Sequence, residues 1–192
     1  MKVLIHRFLF FLALSYIVVS LYSCSMFSKT MLRFSGNYKT PQYEEAADII
    51  SYCDRAGVDY NELWMAKNED SQKFLSENFI LTIPRVLVFD KRKSNITVEE
   101  GKGCVGTMMY FLNDTTIKQI NTNDTLLYYR ILENCKVLKV KSDTAQADYY
   151  VISTWTKYLP KFAEDLFNKV NDQKASGKTN ASYILLNMDF PK

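Results

Sequence analysis

Cysteine and histidine are the side chains of this chain that could carry nucleophilic, redox or metal chemistry. The single histidine is His6, which lies in an N-terminal segment that is expected to be removed. The mature chain then has no imidazole for Ser-His-Asp or Cys-His catalysis, for an H-E-x-x-H metal site or for a histidine general base. The sequence therefore predicts no metal site and no cofactor, and it favours a protein that is not an enzyme.

The four cysteines are far apart along the chain, at Cys24, Cys53, Cys104 and Cys135. No two of them form a C-x-x-C pair, so neither a zinc knuckle nor a dithiol redox motif is present. An exported compartment favours disulfides, and Cys104 with Cys135 is the preferred pair. The alternative is that Cys53, Cys104 and Cys135 are three small buried hydrophobic residues.

The N-terminal segment has the three-part layout of a secretory signal. Lys2 and Arg7 form a short basic lead, and residues 8–21 are apolar almost throughout. This apolar run is shorter than the roughly 20 residues that a membrane-spanning helix needs. An ordinary signal peptide and an uncleaved anchor are the two alternatives for this segment.

The end of this segment, Leu21-Tyr22-Ser23-Cys24, resembles the lipobox of bacterial lipoproteins. A leucine stands three residues before the cysteine, and a small residue stands directly before it. The resemblance implies cleavage after residue 23 and attachment of lipid to the sulfur and the new amino group of Cys24. It implies a lipid-anchored protein of the cell envelope, most simply on the periplasmic side of the outer membrane, because residues 25 and 26 carry no acidic retention signal.

The mature chain would have about 169 of the 192 residues, enough for one domain with an apolar core. Removing Lys2 and Arg7 from the 24 basic residues leaves 22, against 21 acidic residues. A balance so close to zero argues against nucleic acid as a partner. We expect a lipidated tether over 24–40 and an α/β domain over 41–192, or two small halves over 41–112 and 124–192.

Local signals predict an alternation of helices and strands. Thr40 and Pro41 favour a helix start and Gly57 a helix end, and Pro160 and Gly177 do the same for a later helix. Further helices are predicted over 69–79, 105–112 and 126–133, and strands over 84–90, 96–99, 148–154 and 182–188. The last two strands and the helix between them form a βαβ unit, so the sheet is at least partly parallel.

Two segments are similar to parts of thioredoxin-like proteins. Residues 149–162, Tyr-Tyr-Val-Ile-Ser-Thr-Trp-Thr-Lys-Tyr-Leu-Pro-Lys-Phe, resemble the first strand and the active-site turn of that family. Residues 79–91, with Ile83-Pro84 inside them, resemble its cis-proline strand and hairpin. The resemblance implies a thioredoxin-like three-layer sandwich with a mixed sheet. It implies a cis bond at Pro84, although X-Pro bonds in folded proteins are mostly trans, so both isomers stay open.

The chain departs from the family at the turn that follows Trp155. Where the family carries its two cysteines, this sequence has Tyr158, Leu159, Pro160 and Lys161, so no thiolate can form there. The proline segment also comes before the Trp155 unit instead of after it. A generic three-layer α/β domain without a link to the family is the structural alternative.

Two functions from different classes follow. The first is a redox-inactive thioredoxin-like module that binds or scaffolds an unknown protein partner. The second is an atypical thiol-disulfide oxidoreductase that uses Cys104 with Cys53 or Cys135.

Overall fold

The computed structural model describes residues 38–78, 83–96, 125–142 and 147–192. Within these ranges the helices are α1 (Ala46–Arg55), α2 (Glu69–Asn78), α3 (Leu126–Asn134) and α4 (Pro160–Ser176). The strands are β1 (Tyr43–Glu44), β2 (Glu62–Ala66), β3 (Val86–Asp90), β4 (Cys135–Val140), β5 (Tyr149–Trp155), β6 (Ala181–Asn187) and β7 (Phe190–Pro191).

Five strands form a mixed sheet in the order β3-β5-β6-β2-β4. The three central strands, β5, β6 and β2, run parallel to one another. Strands β3 and β4 are antiparallel to their neighbours and lie at the two edges. A separate parallel pair joins β1 to β7. The α/β class and the partly parallel mixed sheet predicted from the sequence are therefore confirmed.

Alternate side chains of the sheet enter two different apolar cores. On one face, Val151 of β5 and Leu185 of β6 pack with residues of α1 and α4, such as Ile49 and Leu166. On the opposite face, residues of the same strands pack with buried side chains of α2 and α3. The sheet is therefore covered by helices on both faces, which explains why its central strands are apolar at nearly every position.

Most of the local signals are found where the sequence predicts them. Helix α4 begins at Pro160 and is followed by Gly177 with φ of 59°, and Gly57 has φ of 63° just after α1. Both glycines adopt the left-handed conformation that favours glycine at a helix end. The predicted helix at 105–112 lies outside the described residues, as does all but Ile96 of the predicted strand at 96–99.

The start of α1 and four of the strands differ from the prediction. Thr40 and Pro41 do not begin the helix, because Tyr43–Glu44 pairs as β1 with β7 and α1 starts at Ala46. Strands β1 and β7 are not among the predicted strands, and neither are β2 and β4. The last two are placed by pairing with distant strands, β2 with β6 and β4 with β2.

Residues Thr40–Lys192 form one compact unit. Strands β2 and β3, from the first half of the chain, lie on either side of the β5–β6 pair from the second half. The described residues include no helix long and apolar enough to cross a membrane.

Candidate functional site at the carboxyl edge of the sheet

The carboxyl ends of the three parallel strands meet at one edge of the sheet. Trp155 of β5 and Met65 of β2 both lie opposite Asn187 of β6. The segments that leave these strands therefore begin side by side. In open α/β sheets this edge is where ligands bind.

Trp155 belongs to the core and is not presented by the turn that follows it. Its side chain is 1% exposed. The indole stacks on the ring of Tyr52 with centroids 5.4 Å apart and meets Phe167 edge-on at 5.0 Å. Its Nε1 has no hydrogen-bond partner in the described structure. Trp155 therefore fixes the spacing between β5 and the helices α1 and α4.

The turn between β5 and α4 presents aliphatic, aromatic and cationic groups. Tyr158, Leu159 and Pro160 are each partly exposed. The carbonyl of Leu159 accepts a hydrogen bond of 3.0 Å from Ala163 N, which starts the first turn of α4. Pro160 occupies the first helical position, where its missing N–H removes no helical hydrogen bond. The turn is an ordinary helix start without sulfur.

The proline segment lies directly against the end of β5. The Ile83–Pro84 peptide bond is cis. Arg85 N donates to Thr154 Oγ1 at 2.7 Å, and Thr154 N donates to the Arg85 carbonyl at 2.8 Å. The two segments with the family resemblance are therefore neighbours in space, although they occur in reverse order along the chain.

A group of four polar residues lies just beyond the strand ends, and we call it the carboxyl-edge cluster: Glu44, Lys157, Asn187 and Asp189. Asp189 is buried. Its Oδ2 accepts hydrogen bonds from Lys157 N at 2.9 Å and from Asn187 Nδ2 at 2.8 Å. The Lys157 ammonium forms an ion pair with Glu44. The cluster joins β1 to the segments that follow β5 and β6.

Burial raises the pKa of Asp189 above its ordinary value of 3.8. The two hydrogen bonds lower the pKa, because they stabilise the ionised carboxylate, whereas the nearby carboxylate of Glu44 raises it. The net shift of the Asp189 pKa is upward, because the loss of hydration on burial is the largest of these effects.

A groove of about 410 Å³ runs between α1 and α4, and we call it the α1–α4 groove. Its lining residues are Tyr52, Arg55, Ala56, Pro160, Glu164, Phe167 and Asn168. Tyr52 and Phe167, which line the groove, are the two rings that contact Trp155. The volume is within the range of small-molecule sites, which are typically apolar with a few polar groups.

Tyr52 is a groove residue whose pKa is shifted by its surroundings. Burial raises the pKa of its hydroxyl, and the negative charges of Asp189 and Glu164 add to that effect. The groove also contains Arg55, which donates to Ser51 Oγ at 2.6 Å. The groove therefore contains one cation and one anion beside two aromatic rings.

Neither described cysteine lines the α1–α4 groove or belongs to the carboxyl-edge cluster. Cys53 and Cys135 are both buried free thiols, and they lie in the cores on opposite faces of the sheet. Burial raises the pKa of each thiol to about 12. Cys24 and Cys104 lie outside the described residues. The lipid attachment at Cys24 and the Cys104–Cys135 disulfide therefore stay predictions.

The described residues contain no group of three or more Cys, His, Asp or Glu side chains that could hold a metal ion.

Sequence reasoning missed the carboxyl-edge cluster and the groove. The available signal was local: Lys157 and Asp189 each follow a buried apolar strand within two residues. No local pattern in the sequence predicts that Glu44 lies in this cluster, because its position depends on the pairing of β1 with β7.

Comparison with known proteins finds no matching protein-family model, no matching curated protein and no matching solved structure. The function is therefore argued from the residues themselves.

The Asp189→Asn variant tests the burial of the carboxyl-edge carboxylate. Folded Asp189 keeps its proton to higher pH than the unfolded chain does, so the stability it contributes is complete below pH 3.8 and is lost as the pH rises through the folded pKa. The variant does not lose stability in this way, because an amide side chain does not ionise. We expect the free energy of unfolding of the variant, minus that of the wild type, to increase with pH above about 4. Urea denaturation across pH 3 to 7 measures the difference.

The Asp172→Asn variant, at an exposed position of α4, controls for the removal of one negative charge. A difference for Asp189→Asn that is flat or decreases with pH would show that the two hydrogen bonds outweigh burial.

Proposed function

We propose that this chain is a lipid-anchored protein of the bacterial cell envelope whose thioredoxin-like domain has no redox activity and serves as a binding module. The observation that carries the proposal is the turn from Thr156 to Pro160. It follows the strand that resembles the active-site strand of the family, and it contains no sulfur. A turn without a thiolate cannot exchange disulfides, which supports a role without redox chemistry.

The thioredoxin-like assignment is supported by the arrangement of three strands. Strand β5, helix α4 and parallel strand β6 form the βαβ unit that contains the turn. Strand β3 pairs antiparallel with the other side of β5. Pro84 precedes β3, and the next residue, Arg85, hydrogen-bonds to Thr154 near the end of β5. The proline segment and the end of β5 can be neighbours in the sheet whichever of the two comes first along the chain.

The α1–α4 groove supports the binding role. It begins at Pro160, at the end of the turn, and combines aromatic surface with the side chains of Arg55, Glu164 and Asn168. Such a surface suits a protein segment or a small organic molecule with both apolar and polar groups. The near-zero net charge of the mature chain disfavours nucleic acid as the partner.

The oxidoreductase alternative receives less support. A thiol that participates in exchange must form a thiolate and be reachable. Cys53 and Cys135, the two candidates for pairing with Cys104, are both buried, and the pKa of each is raised to about 12.

Alkylation of the native protein separates the two functions. With pKa values of about 12, we expect Cys53 and Cys135 to react with iodoacetamide at pH 8 at least about 100-fold more slowly than in 8 M urea, because the thiolate fraction is small and access is poor. Mass spectrometry of tryptic peptides gives the rate for each cysteine. Rapid native labelling of Cys53 or Cys135 that disappears after mild oxidation would support the oxidoreductase.

Mass spectrometry of the mature N-terminus tests the anchor. Expression of the full chain in a bacterium with lipoprotein processing should give a protein that begins at Cys24, carries acyl chains and partitions into the membrane fraction. The Cys24→Ala variant should lack the acyl chains and leave that fraction. An unmodified N-terminus in the wild-type membrane fraction would contradict the proposal, whereas Ser23→Ala should process normally because the residue stays small.

Fragment mapping by NMR tests the groove as a binding site. We expect small aromatic fragments with one polar group to shift backbone amides of Arg55, Ala56, Glu164 and Asn168. The double variant Glu164→Lys with Asn168→Ala should weaken the affinity for these fragments at least about 5-fold, since one lost polar partner costs about 1 kcal/mol. Glu133→Lys, exposed on α3, is the matched control. Fragments that bind the control and the double variant equally well would exclude the groove.

A further inference from the structure

The two walls of the α1–α4 groove carry opposite charges. Helix α1 contributes the guanidinium of Arg55, and α4 contributes the carboxylate of Glu164 with the amide of Asn168 one turn further on. All three residues are exposed. Residues 164 and 168 lie side by side, because positions four apart share one face of a helix. A ligand in the groove therefore meets a cation on the α1 side and an anion with an amide on the α4 side.

The two charges of the groove do not neutralise each other by direct contact. None of the ion pairs within the described ranges includes Arg55 or Glu164. Arg55 Nη1 donates to Ser51 Oγ at 2.6 Å. A guanidinium has five N–H donors, so this one bond leaves most of them for a ligand.

Two aromatic rings complete the lining of the groove. Tyr52 and Phe167 meet edge-on with ring centroids 6.3 Å apart. Both rings also contact the buried indole of Trp155. Contacts among three rings favour a fixed orientation for each of them. Ala56 and Pro160 extend the apolar lining, so the groove offers a preformed surface for a large apolar side chain.

The size of the groove limits its occupant to a small molecule. Its volume of about 410 Å³ is near the lower end of the range of roughly 300 to 1,000 Å³ for small-molecule sites. Its seven lining residues are far fewer than the roughly 20 to 30 on each side of a protein–protein interface. A ligand as small as an amino acid or a dipeptide therefore suits the groove better than a folded partner does.

We propose that the α1–α4 groove binds a small zwitterion, a free α-amino acid or a dipeptide, that carries a large apolar side chain. This inference rests on the binding role proposed above and names the class of its ligand. The carboxylate of the ligand pairs with Arg55. Its ammonium pairs with Glu164 and donates to the side-chain carbonyl of Asn168, and its apolar side chain packs on Tyr52 and Phe167. Each charge of the ligand meets its opposite, and no net charge enters the groove.

Titration with phenylalanine and two singly charged derivatives tests the proposal on the full chain in detergent micelles at pH 6. N-acetylphenylalanine lacks the ammonium, and phenylalaninamide lacks the carboxylate. We expect phenylalanine to bind about 5-fold more tightly than either derivative, which is the factor that an exposed ion pair of about 1 kcal/mol supplies. NMR shifts of the backbone amides of Arg55, Ala56, Glu164 and Asn168 give each Kd. Alanylphenylalanine, measured in the same way, shows whether the free amino acid or the dipeptide is the tighter ligand.

Two substitutions assign each charge of the ligand to one wall. Arg55→Gln should remove the preference for phenylalanine over phenylalaninamide and keep the preference over N-acetylphenylalanine. Glu164→Gln should do the reverse. Arg130→Gln on α3 and Asp165→Asn on α4 remove the same charges at exposed positions outside the groove, so both preferences should persist in these controls.

The comparison of ligands on the wild type separates this proposal from the binding role on which it rests. Equal affinities for phenylalanine and its two derivatives would overturn the zwitterion and leave the groove as a binding site. The absence of groove shifts with every compound would contradict the binding role as well. A preference for phenylalanine that persists in both Arg55→Gln and Glu164→Gln would also overturn the proposal, because the charges of the ligand would then be recognised elsewhere.

Discussion

Burial of both faces of β5, β6 and β2 is the constraint on which the rest of this structure depends. Each of these strands contributes side chains alternately to two cores that are closed by different pairs of helices. Unpaired charge within such strands would be costly, so the ionisable groups are found where the strands end. The segments after Trp155 and Asn187 carry Lys157 and Asp189 for this reason. The same pairing that forms the core therefore determines where a site can exist.

The elements that could be predicted from the sequence are those with strong local signals. Helix α4 has proline at its first position and a left-handed glycine after its last, and β5 and β6 are continuous apolar runs. Strand β2 has only five residues, and β4 contains two lysines and follows α3 without a linker. Thr40 and Pro41 resemble a helix start, but pairing of β1 with β7, about 147 residues away, decides the local structure.

The candidate site was predictable only in its composition. The absence of sulfur after Trp155 is visible in the sequence, and it already excludes dithiol exchange at that turn. The residues that contact this turn cannot be identified from the sequence. Lys157 meets Glu44 across 113 positions of the chain, and the groove joins helices that are more than 100 residues apart. Contacts of that separation follow from the order of strands in the sheet, which no local pattern specifies.

The carboxyl-edge cluster also connects the candidate site to the place where the chain enters the domain. Glu44 belongs to β1, the first strand of the unit, and its side chain binds Lys157 of the turn after β5. Its carbonyl accepts a hydrogen bond from Lys192 N, so both ends of the domain meet at this residue. Asp189, beside the same lysine, acts electrostatically on Tyr52 of the groove. The short strand before α1 is for this reason part of the site and not merely the start of the domain.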